Sequence, residues 1–309
     1  MEHREFGKTG IFVSKLGYGA SPLGGEFGTI DEAEGHRSVH RAIDLGINLF
    51  DVAPYYGRTR AESVLGEALR GHRSKVVLSS KVGRYGKDDF DFSPKRILAG
   101  LEESLARLGT DHLDLVIVHD IEYRPLESVL EETIPALLKA KEQGKVRAVG
   151  VSGLPLAVLI RAVEATDLDF VLSYCHYTLN DRTLMDRLGP LAQGKGLGII
   201  NAAPLSMGLL TQRPPPTWHP APNLLKAACS QAAKLCAERG ADLADLALQF
   251  STASPGVHST VVGMPTTAQV ERNVEALARP IDTVLLKQIE AILAPVSGVT
   301  WSSGLPENQ

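Results

Sequence analysis

Four polar side chains at the ends of strand-like segments have the properties needed for proton transfer at a carbonyl group. Asp51, Lys81 and His119 each end a short β-like segment, and Tyr56 follows Asp51 by five positions. A tyrosine can move a proton, a nearby lysine lowers its pKa, and a carboxylate holds the lysine. A histidine can hydrogen-bond the reacting oxygen and orient the carbonyl. Together these residue types indicate acid–base chemistry at a carbonyl carbon.

The elements that position these residues are predicted to be strands alternating with helices. Eight segments are short and apolar, as buried parallel strands are: Leu16–Ala20, Leu49–Asp51, Val76–Val82, Leu113–His119, Ala148–Ser152, Phe170–Ser173, Gly198–Ala203 and Thr260–Gly263. Eight strand–helix units favour an α/β fold of the closed (β/α)8 TIM-barrel type over a doubly wound sheet. Such a barrel collects the last residue of each strand on one rim, where barrel enzymes keep their chemistry.

Capping residues predict where several helices begin and end. Asp31 with Glu34 resembles a capping box, and Ser93-Pro94 predicts a helix that begins there and continues to about Leu108. Glycines suited to a left-handed C-cap are expected to end four further helices, at Gly46, Gly144, Gly194 and Gly240.

Two segments do not fit the repeating unit. Glu5–Ser14 is predicted to be a β-hairpin that plugs the barrel floor. Pro204–Pro222 is a long loop after the seventh strand, and it is open whether the loop is functional or an inert excursion. Because no long Ser/Gly linker divides the chain, residues 1–309 are expected to form a single barrel domain.

Composition restricts the compartment and the partners. The chain has 309 residues, of which 44% are hydrophobic and 22% charged, as in an ordinary globular protein with a large core. The net charge of −4 gives no reason to expect nucleic acid or an anionic membrane as a partner. Three cysteines without disulfide spacing, no signal-peptide pattern and no membrane-length apolar run predict a cytoplasmic protein. His36 and His40 lack an evident third ligand, so no metal site is predicted.

The segment around the first catalytic candidates resembles the aldo-keto reductase superfamily. The resemblance is carried by Gly46-Ile47-Asn48-Leu49-Phe50-Asp51-Val52-Ala53-Pro54-Tyr55-Tyr56-Gly57, by Ser79-Ser80-Lys81-Val82-Gly83 and by Val116-Ile117-Val118-His119-Asp120. It covers essentially the whole chain and implies that Asp51, Tyr56, Lys81 and His119 are catalytic.

Within the superfamily the sequence is most similar to the L-galactose dehydrogenases. The similar stretches include Lys81-Val82-Gly83-Arg84-Tyr85, His119-Asp120-Ile121-Glu122, Trp218-His219-Pro220-Ala221 and Thr300-Trp301-Ser302-Ser303-Gly304. This similarity implies nicotinamide-dependent oxidation of a small sugar, L-galactose, at C1 to its lactone. It also implies that Tyr56, His119, Tyr85 and Trp301 bind the substrate.

The resemblance further implies a nicotinamide dinucleotide site. The nicotinamide would lie against Ser152, Gly153 and Ser173. The pyrophosphate would lie in the loop after the seventh strand, against Pro204, Leu205, Met207, Gly208 and Leu209. The adenosine would lie against Gly263, Met264, Gln269 and Asn273.

The adenosine end of that site predicts a preference for NAD. NADP-dependent relatives place a lysine, a serine and an arginine around the 2′-phosphate, where this chain has Gly263, Met264 and Gln269. These residues supply no charge-assisted hydrogen bond to a phosphate. Arg272, the remaining cation nearby, is interpreted as a solvated residue on a helix face.

Other functions are open at this stage. The substrate could be L-fucose or another aldose, since sugars that share C1 to C4 differ only at remote groups. The same four catalytic residues also suit an NADPH-dependent aldehyde reductase. A barrel of this fold can also serve as a non-catalytic regulatory subunit. The sequence does not indicate an oligomeric state.

Overall fold

A closed barrel of eight parallel strands forms the centre of the fold. The computed structural model describes residues 1–25, 28–29 and 31–309. In chain order the strands are β1 (His3–Glu5), β2 (Phe12–Ser14), β3 (Leu16–Gly19), β4 (Leu49–Asp51), β5 (Val77–Val82), β6 (Leu113–Val118), β7 (Val146–Gly153), β8 (Phe170–Tyr174), β9 (Gly198–Ala202) and β10 (Ser259–Gly263). Strands β3 to β10 pair in sequence, and β10 closes in parallel onto β3. The predicted (β/α)8 barrel is confirmed.

Helices cover the outside of the barrel. They are α1 (Glu32–Asp44), α2 (Arg60–Ala68), α3 (Pro94–Leu108), α4 (Leu126–Ser128), α5 (Ile134–Glu142), α6 (Leu156–Ala165), α7 (Gly189–Lys195), α8 (Asn223–Glu238), α9 (Leu243–Ala253), α10 (Thr267–Ala278) and α11 (Thr283–Leu293). A π-helical turn at Val129–Thr133 joins α4 to α5. None of the helices in the described chain is long and apolar enough to cross a membrane.

The alternation of side chains along each strand decides which residues enter the barrel. The interior is filled by a cluster that includes Leu49, Val77 and Ile117 from three adjacent strands. Because side chains two positions apart on a strand share a face, the interior side also carries the later residues of each strand. Asp51, Lys81 and His119 lie two, four and two positions after these apolar residues. The barrel core and the candidate catalytic residues therefore occupy the same face of the sheet.

An N-terminal hairpin closes the barrel floor, as the sequence predicted. Strands β1 and β2 pair antiparallel, and the buried side chains of Phe6, Ile11 and Val13 belong to the interior cluster. The Phe6 ring lies 5.3 Å from the ring of Phe170 at the start of β8. The starts of the strands lie opposite the rim that carries Asp51, Lys81 and His119, so the hairpin closes the other end of the barrel.

Two predicted helix caps differ in the structure. Asp31 caps α1 by accepting from the Ala33 N–H at 3.0 Å, but Glu34 does not complete a capping box because it accepts from Thr267 instead. Gly194 lies inside α7, and the left-handed C-cap is Gly196 with φ +67°. The prediction at Gly194 was wrong because two glycines lie at the end of this helix, and the pattern does not distinguish the last helical residue from the cap.

A second apolar cluster lies outside the barrel, where α8 and α11 pack against α9. It contains Cys229 and Cys236, which are fully buried on one face of α8. Burial raises the pKa of both thiols, to about 12 and about 11 respectively. Both cysteines therefore act as small core residues at neutral pH.

The hairpin should stabilise the whole barrel. We expect Phe6→Ala to lower the free energy of unfolding by about 3–5 kcal/mol, because it leaves a cavity beneath the interior cluster. Phe12→Ala is the matched control, since Phe12 lies in the same hairpin with 57% of its surface exposed. Chemical denaturation of the two variants measures the difference, and equal losses would contradict the proposed closure of the floor.

Candidate active site

A buried ion pair lies at the C-terminal rim of the barrel. The Lys81 Nζ is 2.5 Å from the Asp51 Oδ2 and donates to the Val52 carbonyl at 3.0 Å. The Ser79 hydroxyl donates to the other carboxylate oxygen of Asp51 at 2.9 Å. This contact follows from the register of the neighbouring strands, which places Asp51 beside Ser79. Lys81 is 1% exposed, so its ammonium is held by protein groups and has almost no contact with water.

The charge of Lys81 depends on its carboxylate partner. Burial alone lowers the pKa of a lysine, but the Asp51 carboxylate, with Tyr56, outweighs burial here and raises the pKa of Lys81. The ammonium is therefore charged at neutral pH. A buried pair of this kind is stable only when its remaining donors and acceptors are satisfied, as Val52 and Ser79 satisfy them here.

Tyr56 lies in the turn after β4 and faces this ion pair. The Lys81 Nζ is 4.9 Å from the centre of the Tyr56 ring. Burial raises the pKa of the Tyr56 hydroxyl to about 12, although the Lys81 ammonium acts in the opposite direction. The sequence argument predicted the direction of the effect of Lys81. It did not include the larger effect of burial, which keeps the phenol protonated in the protein without a ligand.

His119 is a neutral hydrogen-bonding group beside Tyr56. Its ring makes an edge contact with Tyr56, with the ring centres 5.8 Å apart, and a similar contact with Tyr55. Burial, followed by the positive charges of Lys81 and Arg84, holds the pKa of His119 well below 6.5. A neutral imidazole donates one proton and accepts one, so His119 can hydrogen-bond a reacting oxygen without carrying charge. The structure thus brings the four predicted catalytic side chains together.

Residues that sequence reasoning missed form one wall of the site. Arg84 donates to Asp120 at 2.5 Å, and its guanidinium lies 3.9 Å from the centre of the Tyr55 ring. Asp120 has φ +56°, and its Oδ2 is 3.6 Å from the His119 Nε2. An ion pair next to His119 is suited to hydrogen bonds with a polyhydroxylated ligand.

Tyr85, a predicted substrate-binding residue, does not lie in this wall. Its ring packs beneath the Arg96 guanidinium at 3.7 Å, and its hydroxyl donates to the Arg96 carbonyl at 3.3 Å. Both contacts are with helix α3, outside the barrel. The neighbouring Arg84 faces the site instead, because successive residues in this extended segment point to opposite sides.

A C-terminal tail is anchored on the same rim through Glu122. The Ser303 hydroxyl donates to the Glu122 carboxyl at 2.9 Å, and the Leu305 N–H donates to the Glu122 carbonyl at 2.8 Å. Burial, followed by the charge of Asp120, raises the pKa of Glu122 to about 8. Trp301, predicted to bind substrate, lies in this tail, and its ring makes an edge contact with His219 at 4.9 Å.

The residues predicted at the nicotinamide end lie at the tops of β7 and β8. Ser152 accepts from the Asp120 N–H at 3.2 Å, so it supports the rim next to His119. A side chain at Gly153 would meet the Glu122 carboxyl, since a Cβ there would lie 2.7 Å from its Oε2. The Ser173 hydroxyl is buried and has no hydrogen-bond partner among the described residues. It is therefore a candidate for a ligand bond.

The predicted pyrophosphate loop has an unusual backbone. Met207 and Gly208 have φ +53° and +103°, next to Leu205. The N–H groups of Gly208 and Leu209 donate within the loop, to Leu205 and Ser206. These two N–H groups are therefore not available to a phosphate, contrary to expectation. Leu209 is buried in the outer cluster, with Leu205 packed against it. Pro204 is also buried.

The long loop Pro204–Pro222 folds back onto its own start. His219 is buried, and its Nε2 is hydrogen-bonded to the Ser206 carbonyl at 3.0 Å. The Lys226 ammonium donates to the His219 carbonyl from α8. The sequence left open whether this loop is functional or inert. A role in shaping the rim is favoured, because His219 connects the end of the loop to Ser206 at its start and contacts Trp301 in the C-terminal tail.

The predicted adenosine residues lie at the start of α10 and carry no positive charge. A side chain at Gly263 would meet the ring of Pro22, 2.7 Å from the position of a Cβ. Met264 is fully buried in the main core, so its side chain offers no group to a phosphate. The exposed Gln269 accepts from the Thr266 hydroxyl at 3.2 Å, and Asn273 follows one turn later in α10.

Strained backbone is concentrated on the catalytic rim. All seven non-glycine residues with left-handed φ in the described chain follow strands β4, β6, β8 or β9: Arg58, Thr59, Asp120, Cys175, Ala203, Ser206 and Met207. Such conformations persist only where surrounding contacts hold them, and they cluster at functional sites. The described residues contain no group of three or more His, Cys, Asp or Glu side chains arranged to hold a metal.

Comparisons with known proteins agree with this fold. The model of the Aldo/keto reductase family matches residues 15–294. The chain belongs to the aldo/keto reductase family.

Two relatives and one solved structure are similar over nearly the full length. The chain is 45% identical to L-galactose dehydrogenase from Arabidopsis thaliana, over 100% of this chain and 99% of that protein. It is 31% identical to D-threo-aldose 1-dehydrogenase from Pseudomonas sp, over 93% and 96% of the two chains. The holo form of an aldo-keto reductase from Bacillus halodurans has a TM-score of 0.80 and 28% identity, and the match covers 98% and 99% of the two chains.

Removing the lysine charge should change the pH dependence of catalysis as well as its rate. In Lys81→Met the pKa of Tyr56 loses the one charge that lowers it. The limb of the kcat/KM profile that reports Tyr56 should therefore move to higher pH in the oxidative direction. Steady-state rates measured across the alkaline range test this shift. A lower rate with an unchanged profile would mean that Lys81 orients groups without tuning Tyr56.

Proposed function

We propose that this protein is an NAD-dependent aldose 1-dehydrogenase that oxidises L-galactose at C1 to its lactone. The observation that carries the proposal is the buried Asp51–Lys81 pair beside Tyr56 and the neutral His119. Full-length similarity to relatives named L-galactose dehydrogenase and D-threo-aldose 1-dehydrogenase supports an aldose as the substrate class. The proposed partner is a small sugar.

The rim residues fit a nicotinamide dinucleotide. The buried Ser173 hydroxyl has no protein partner among the described residues, and it lies beside Gly153 in the register of β7 and β8. In the loop after β9, no hydrogen bond from the Leu205 N–H is found within the described chain, and this group is proposed to bind the pyrophosphate. A nicotinamide held by these residues would supply the hydride acceptor for oxidation at C1 of the sugar.

The protein groups divide the remaining chemistry between them. Tyr56 is protonated at rest, so only the fraction of molecules in which it has lost its proton can act as the base. In that fraction the Tyr56 phenolate takes the proton of the C1 hydroxyl as the C1–H bond breaks and the C1 carbonyl forms. Lys81 stabilises that phenolate, and Asp51 keeps Lys81 charged and in place. His119, being neutral, hydrogen-bonds the same oxygen and fixes its position without competing for the proton. The Arg84–Asp120 pair next to His119 is placed to hydrogen-bond further sugar hydroxyls.

A preference for NAD over NADP is part of the proposal. Three observations support it: a side chain at Gly263 would meet the ring of Pro22, the Met264 side chain is buried, and Gln269 is uncharged. The nearby Arg272 is already paired with Asp242 at 2.5 Å and with Asp245 at 2.9 Å. Its guanidinium is directed to α9 by these contacts.

Steady-state oxidation of L-galactose and L-fucose with NAD⁺ and NADP⁺ tests the substrate and the cofactor.

Tyr56→Phe should reduce turnover about 10²–10⁴-fold while NAD⁺ affinity stays within a few-fold, because only the proton-carrying hydroxyl is lost. Tyr85→Phe is the matched control and should keep its activity, since that ring packs on α3. Near-normal turnover in Tyr56→Phe would contradict the role of Tyr56 as the proton acceptor.

An added guanidinium at the start of α10 should recover NADP⁺. In Gln269→Arg we expect kcat/KM with NADP⁺ to rise about tenfold or more, since a charge-assisted hydrogen bond is worth about 1.5–3 kcal/mol. Efficiency with NAD⁺ should stay nearly constant. Gln193→Arg, at an exposed position of α7, controls for the added charge. A wild-type enzyme that preferred NADP⁺ would contradict the placement of the adenosine.

A further inference from the structure

The N-terminus of helix α10 is already occupied by a carboxylate of the chain itself. The Glu34 Oε1, from the first turn of α1, accepts from the Thr267 N–H at 2.7 Å. Its other oxygen is 2.8 Å from the Arg37 guanidinium. Hydrogen bonds from Thr267 and from Arg37 lower the pKa of Glu34, so the carboxylate is charged at neutral pH. A negative group is thus fixed at the position where a helix attracts anions.

A second backbone donor of this turn is also engaged within the protein. The Gln269 N–H is hydrogen-bonded to the Thr266 hydroxyl at 3.3 Å and to the Thr266 carbonyl at 3.1 Å. Pro265, just before the helix, has no backbone N–H to donate. A phosphate at this turn would therefore meet a fixed negative charge.

The arginines around this turn are likewise paired with carboxylates. Arg41 is 2.9 Å from Glu271, and Arg272 is held by Asp242 and Asp245. Arg37, which neutralises part of the charge of Glu34, is also 3.7 Å from Asp31. These contacts give the described part of the turn no excess of positive charge.

We infer that Glu34 is a specificity-determining residue that excludes a 2′-phosphorylated adenosine from the dinucleotide site. The inference rests on the proposed function, which places the adenosine against Gly263, Met264 and Gln269. An unphosphorylated ribose adds no charge and tolerates a nearby carboxylate. On that placement a 2′-phosphate would bring negative charge to the turn whose Thr267 N–H is already bonded to Glu34, and the two like charges would repel each other. Discrimination therefore depends on an added repulsion as well as on missing cations.

The test measures nucleotide binding, separately from turnover. Glu34→Gln keeps the carbonyl oxygen that accepts from Thr267 and removes only the charge, so the helix cap is preserved. We expect NADP⁺ to bind about tenfold more tightly to this variant than to the wild type, with NAD⁺ affinity unchanged. Isothermal titration calorimetry with each nucleotide gives both dissociation constants. High ionic strength should reduce the difference between the two proteins, because salt screens exposed charges.

Glu32→Gln is the matched control, because Glu32 lies in the same first turn but pairs with Arg60 at 2.8 Å. It should leave both dissociation constants nearly unchanged. If NAD⁺ binds normally and Glu34→Gln does not change NADP⁺ affinity, Glu34 is not the determinant and the inference is overturned. An equal gain in the Glu32 variant would also overturn it, since the effect would then be one of net charge. Failure of NAD⁺ to bind the wild-type protein would instead overturn the proposed function.

Discussion

The structure of the site depends on one buried interaction, the ion pair between Lys81 and Asp51. Burying two charges costs free energy that their mutual attraction recovers only with good geometry and further hydrogen bonds. Here Ser79 bonds the second carboxylate oxygen, and the Val52 carbonyl accepts from the ammonium. The barrel provides this geometry because adjacent parallel strands hold Asp51 and Ser79 in register. A pair held in this way gives Tyr56 a permanent positive neighbour, which an exposed lysine would provide only weakly.

Alternation along the strands lets one sheet serve as both core and active site. Along β6 the interior face is apolar up to Ile117 and becomes polar at His119, the residue that follows the strand. The loops above are held in costly left-handed conformations by contacts such as the one between His219 and Ser206. The outer helices α8 and α11 stabilise those loops from behind. These contacts hold the rim in one arrangement, with the hydrogen-bonding groups of the candidate catalytic residues already oriented.

Sequence reasoning succeeded where a residue lies on a strand and was less reliable in loops. Asp51, Lys81 and His119 could be placed because strand ends of a parallel barrel meet on one rim, whatever the details of packing. Ser79 could also have been found, since it lies two positions before Lys81 on the same face. Tyr85 was predicted to bind substrate, but its neighbour Arg84 faces the site. Which of the two faces the site depends on the backbone conformation of a short loop, which the local sequence pattern does not encode. Glu34 and Glu122 act across long sequence separations, on Thr267 and Ser303, and such contacts appear only in the folded chain.

The central claim is that Asp51 keeps a buried lysine charged next to the proton-carrying tyrosine. The most direct measurement is an NMR titration of the Lys81 side chain, labelled at Cε, in the wild type and in Asp51→Asn. Because the carboxylate outweighs burial in the wild type, Lys81 should remain protonated throughout the range in which the protein is folded. In Asp51→Asn the largest effect opposing burial is lost, so the pKa of Lys81 should fall and become measurable. A wild-type Lys81 that loses its proton near neutral pH, or one whose pKa is the same in both proteins, would contradict the account.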